Sequence, residues 1–167
     1  MSRHVVCLAV VALTVSCNSA SLPPTPSDLG SRVTAQQPER PASLQRFSYS
    51  GINEAKRMVI SDPATWATVW AQLTQHVSPA PELPAVDFGA NRLILVAMGT
   101  RPSGGYEIRV DSLVEFENGS LVFVTSESPG SDCVTTQALT APVDIVLVGR
   151  SEEPIVFRDG TAVHHCS

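Results

Sequence analysis

Leu93-Ile94-Leu95-Val96-Ala97-Met98, then Gly99-Thr100-Arg101-Pro102-Ser103-Gly104-Gly105-Tyr106, then Glu107-Ile108-Arg109-Val110: the architecture is read outward from this stretch. The first run is apolar at every position, the mark of a central strand covered on both faces. From Tyr106 to Val110 the pattern alternates and reads as a second strand. Pro102 restricts φ, while Gly104 and Gly105 admit positive φ or close backbone approach, so the joining loop is sharply bent and well defined. Loops of this kind often carry binding function. Thr100, Arg101 and Ser103 are the candidate contact residues, Pro102, Gly104 and Gly105 set the shape, and Tyr106 is the candidate anchor. The competing reading is that the glycines only make a corner and Tyr106 packs inside.

Working outward, Phe47 to Ile52 and Lys56 to Ile60 read as strands. Asp62-Pro63 is a helix start, with a side chain to accept from first-turn amides and a proline suited to the first position. Trp66, Val69, Trp70 and Leu73 follow at i, i+3, i+4 and i+7, a single apolar stripe that makes both tryptophans core residues. Val77 to Pro84 is a proline-rich crossing loop. Downstream, Asn118-Gly119 suits a type I′ hairpin turn returning through Leu121 to Thr125. After the segment Val134 to Leu139, Val143 to Val148 and Pro154 to Phe157 complete the strands. The expected fold is α+β: a mainly antiparallel curved sheet or partly closed barrel of about seven strands, largely in meander order, with one helix packed on it.

Arg3 and His4 followed by the apolar run Val5 to Val15 form an export signal. Leu13-Thr14-Val15-Ser16-Cys17 looks like a lipobox, in which Cys17 is lipidated and becomes the first mature residue, although the leucine sits one place early. The competing reading is a conventional signal cleaved near Ala20, giving a soluble periplasmic or secreted protein. Both place the mature chain outside the cytoplasm, and the first makes it a membrane-anchored lipoprotein of the cell envelope. Residues 1–17 are thus the leader and 18–45, rich in proline and serine, a disordered tether. The globular domain is 46–167, with 8 basic against 14 acidic residues, net −6. That balance weighs against nucleic acid and against an anionic membrane surface as partners, leaving the lipid anchor as the membrane contact.

With Cys17 lipidated, Cys133 and Cys166 are the remaining pair, and outside the cytoplasm an even pair reads as a disulfide. Closing about 33 residues, it contributes roughly 3–4 kcal/mol in the chain-entropy picture. His164-His165-Cys166 invites a metal reading. Adjacent residues do not easily face one ion, however, and no second cluster with ligand spacing exists, so no metal and no cofactor are expected. There is no Gly-x-Ser-x-Gly elbow, no His-Glu-x-x-His motif and no glycine-rich loop opening a helix. The expectation is a non-catalytic protein.

Val86-Asp87-Phe88, the apolar strand, Gly99-x-x-Pro102-x-Gly104-Gly105-Tyr106-x-Ile108 and Thr140-x-Pro142 with Ile145-Val146 together resemble the C-terminal domain of the PrcB-like family. The Trp66 to Trp70 segment fits the same resemblance, which spans roughly Tyr49 to Phe157. It implies a bacterial envelope lipoprotein that binds an envelope protein and, as in the namesake, associates with or stabilises a secreted protease. A second resemblance is to the Pro-Thr-Thr-Gly-Tyr loop of chagasin-type cysteine-protease inhibitors. It implies an inhibitor acting through Pro102-Ser103-Gly104-Gly105-Tyr106, though Gly104-Gly105 adds a glycine and Ile108 stands where an aromatic is usual.

Overall fold

The computed structural model describes residues 40–166. The leader, Cys17 and most of the expected tether lie outside the described residues. The elements are β1 (Ala42–Phe47), β2 (Ala55–Ile60), α1 (Pro63–Thr74), β3 (Asn91–Met98), β4 (Glu107–Phe116), β5 (Gly119–Pro129), β6 (Val143–Gly149) and β7 (Ile155–His164).

The apolar run of β3 decides the layering. Leu93, Leu95 and Ala97 point to one face and join Val143 and Ile145 of β6 in a cluster with Trp66 and Trp70 of α1. Ile94, Val96 and Met98 point to the other face, with Val146, against Ile108 and Val122. The strands therefore form two sheets. One is four-stranded, β1-β6-β3-β2, and entirely antiparallel; the other is three-stranded, β4-β5-β7. Helix, first sheet and second sheet stack as three layers. The strand number and the single helix match the sequence reading, but a single curved sheet or closing barrel does not form. Strands apolar on both faces need cover on both sides, which α1 and the second sheet supply.

Three local expectations change. β1 begins at Ala42, inside the stretch read as tether, and residues 48–54 are a connection instead of strand. The β4–β5 hairpin turns on Glu117 and Asn118, with Phe116 paired to Gly119. No non-glycine residue among the described residues takes the positive φ that a type I′ turn at Asn118 requires. Between β5 and β6, residues 134–139 are loop with Val134 and Leu139 exposed, as part of the 130–142 connection. Most consequentially, β7 runs ten residues to His164 and pairs with β5 in parallel, so the sheet is mixed. Its middle, Arg158-Asp159-Gly160-Thr161, is an exposed polar edge with no apolar alternation to announce it.

The helix forms as its pattern predicts. Asp62 caps it by accepting from Thr65 N at 2.8 Å, and that bond holds its carboxyl below the ordinary carboxylate value. The cap's contribution is therefore full above the unfolded-state value and fades as the pH falls through the lowered one. The proline-rich crossing loop is tied to the same helix, with Trp66 Nε1 donating to Pro84 O at 2.9 Å and Trp70 Nε1 to Pro81 O at 3.1 Å.

Two polar contacts stitch the sheets together at opposite margins. Arg57 of β2 pairs with Asp159 of β7 at 2.6 Å. At the other margin, Asp144 of β6 is fully buried between the sheets and accepts from Val110 N of β4 at 2.9 Å. Its second oxygen accepts from Ser43 Oγ at 3.0 Å and from Arg46 Nε at 3.1 Å, both on β1.

Candidate functional site

Three connections meet at one end of this stack. Residues 48–54 join β1 to β2, residues 99–106 carry the chain from the first sheet to the second, and residues 130–142 carry it back. Backbone bonds set them side by side. Ala141 N donates to Ser48 O at 2.9 Å on one flank, and Arg101 and Thr140 exchange bonds of 2.7 and 3.0 Å on the other. Thr100 N donates to Asn53 O and Gly104 N to Thr136 O, each at 3.0 Å, while Thr140 Oγ1 donates to Ser103 O at 2.8 Å. The 99–106 loop is thus held along its whole length.

The glycines are demanded by this closeness. A Cβ on Gly104 would collide with Thr136 Oγ1. Gly105 has φ +84°, and a Cβ there would lie 3.0 Å from Pro129 Cβ and 3.2 Å from Thr135 Cγ2. A Gly105→Ala substitution should therefore lower stability by about 1–2 kcal/mol, the cost of a left-handed residue plus local crowding. Urea denaturation checks this, and an unchanged midpoint would show that the loop yields freely.

Of the candidate residues, Thr100 and Pro102 are exposed and Arg101 and Ser103 half-buried. Tyr106 is half-buried against the inter-sheet cluster, so its ring serves the core more than the surface. Arg101 donates from Nη2 to Met98 O at 2.6 Å and makes no ion pair among the described residues. It brings positive charge to one end of an acidic domain. Ser103 Oγ donates to Gly104 O at 3.1 Å. The structure adds two residues that sequence reasoning missed as surface features. Tyr49 is 59% exposed and Leu139 68% exposed, on the two segments flanking the Thr140–Arg101 bridge. Tyr49 stands in an alternating run that reads as strand and Leu139 in a run with no surface signal, so only their placement reveals them.

Cys133 and Cys166 form the expected disulfide, with Cα atoms 5.0 Å apart. It ties the 130–142 connection, which carries Thr135 and Thr136 against the glycines, to the end of β7. The outer face of the second sheet carries an ion-pair group beside half-buried apolar side chains such as Leu121 and Phe123. Arg109 bonds Glu127 and Asp111 at 2.8 Å each, and the Glu127 bond, then the Asp111 bond, hold its guanidinium above the ordinary value. Tyr49 and Leu139 are exposed apolar side chains of the three-loop end.

Residues 92–148 match the family described as PrcB C-terminal. This stretch of the chain is similar to the PrcB C-terminal domain. It runs from β3 to β6 and so contains the 99–106 loop, the β4–β5 hairpin, Cys133 and Asp144. The span is narrower than the sequence resemblance suggests, since β1, β2, α1 and β7 flank the PrcB C-terminal stretch and complete its two sheets. No curated protein and no solved structure matches the chain.

Proposed function

We propose that the chain is an exported, non-catalytic binding module, anchored by lipid at Cys17, that presents the three-loop end to an envelope protein. A secreted protease is the partner class that the PrcB-like resemblance favours. The observation that carries this reading is the contrast within the loop. Its backbone is fixed by five bonds to neighbouring segments, yet Thr100 and Pro102 are left exposed beside Tyr49 and Leu139. A rigid, partly apolar end with one unpaired guanidinium suits protein recognition, because little ordering entropy is lost on docking. The Ser103 hydroxyl, engaged with its neighbour's carbonyl, supports a non-catalytic role.

The test is a detergent pull-down from the native envelope, comparing the full-length chain with a Tyr49→Ser, Pro102→Ala, Leu139→Ser variant. All three side chains are exposed, so the variant should keep its melting temperature. A protein retained by the wild type and lost by the variant is the expected result, and equal recovery overturns the reading. Stoichiometric inhibition of a papain-like protease by the purified chain would replace it with an inhibitor role. Separately, Cys17→Ser should move the chain from the membrane fraction to the soluble one.

A further inference from the structure

We infer that Cys133, His164 and Cys166 are a reduction-gated zinc site, closed as a disulfide and opened by a dithiol reductant. The donor atoms of these three residues all lie within 4.8 Å of one another. The obstacle in the sequence, that neighbouring His164 and His165 cannot share an ion, is removed by the fold. The set skips His165, taking His164 and Cys166 two residues apart and drawing Cys133 from the 130–142 connection across β5 and β7.

Three features separate this cluster from an ordinary disulfide with a histidine nearby. First, the backbone around the sulfurs is held without the covalent bond. Gly130 N donates to His164 O at 2.7 Å, Cys133 N to Gly130 O at 3.1 Å, and Cys166 N to Asp132 Oδ2 at 2.9 Å. The parallel ladder also pairs Pro129 with His164. Reduction therefore leaves both thiols beside the imidazole instead of freeing the C-terminal segment. Second, His164 Nδ1 lies 3.6 Å from Glu127 Oε1, and Glu127 is itself fixed by Arg109 at 2.8 Å. A carboxylate beside an imidazole is the arrangement that orients metal-bound histidines, leaving the other ring nitrogen as a donor. Third, the cluster is open to an ion and to a reductant, since His164 and Cys166 are exposed and Cys133 half-buried.

Two thiolates and one imidazole suit zinc, with a tetrahedral shell completed by water. In the opening step the dithiol passes two electrons and two protons to the Cys133–Cys166 bond and becomes a disulfide itself. Zinc then binds both sulfurs as thiolates and their two protons pass to solvent.

The experiment uses the full chain carrying Cys7→Ser and Cys17→Ser, so that only this pair of thiols remains. The protein is reduced in the presence of zinc or cobalt(II), freed of reductant under anaerobic conditions, and followed by electronic spectroscopy and by competition with a chromophoric chelator. Circular dichroism is recorded on the same samples. The expected result is one cobalt(II) per chain with a thiolate charge-transfer band, displaced by one zinc, and no such band in the oxidised protein. His164→Ala should weaken zinc binding about tenfold or more while His165→Ala leaves it unchanged. The inference is overturned if the reduced chain shows no thiolate band, if His164→Ala binds zinc as the parent does, or if reduction with zinc present unfolds the domain.

Discussion

Asp144→Ala is expected to destabilise the domain by about 3 kcal/mol, enough to leave it marginal at physiological temperature. The carboxylate is fully buried between the two sheets. One oxygen takes the Val110 amide of β4, an edge strand whose outward N–H groups have no ladder partner on that side. The other takes Ser43 and Arg46 of β1, the opposite sheet's edge. Alanine leaves the Val110 amide buried without an acceptor and opens a gap among β1, β4 and β6, and both effects add. Arg46 is partly exposed, so water replaces much of its lost partner and the ion pair is the smaller part of the cost. Asp144→Asn keeps the shape and one acceptor but turns an amide nitrogen toward donors, so it should fall between wild type and alanine. Urea or guanidinium unfolding with an unchanged slope is the measurement. A loss below about 1 kcal/mol for alanine would mean that apolar contact alone holds the sheets in place.

Trp66→Ala is expected to cost about 4 kcal/mol, more than the loss of the Asp144 carboxylate. Trp66 is 1% exposed, its ring centroid is 5.3 Å from that of Trp70, and it sits where α1 covers the first sheet. Its Nε1 also donates to Pro84 O, which fixes the proline-rich crossing loop that leads into β3. Removing the indole therefore empties the helix–sheet cluster and frees that loop together. Trp66→Phe retains most of the volume and loses the bond to Pro84, so a smaller loss of about 1–2 kcal/mol is expected. The same denaturation experiments decide both. A cost near 1 kcal/mol for alanine would show that the helix is a loosely attached cover and not part of the core.

Local pattern was sufficient wherever a segment's environment is set by its own periodicity. The unbroken run from Leu93 to Met98 is a doubly covered central strand because only burial on both faces tolerates it. The Trp66, Val69, Trp70, Leu73 stripe and the Asp62-Pro63 start make α1 for equally local reasons. The disulfide matches the pairing expected for Cys133 and Cys166 from cysteine count alone once the N-terminus is read as an export signal. What needed the tertiary structure is everything set by contacts between distant segments. The polar middle of β7 carries no periodic signal, so its parallel pairing with β5 is decided by what the sheet edge offers. Gly105 reads as flexible until Pro129 and Thr135 are seen against it. A charged residue inside the apolar run of β6 gives no sign that its partners stand at positions 43, 46 and 110. His164 and Cys166 meet Cys133 for the same reason: sequence spacing governs which neighbours share a face, whereas strand pairing governs which strangers do.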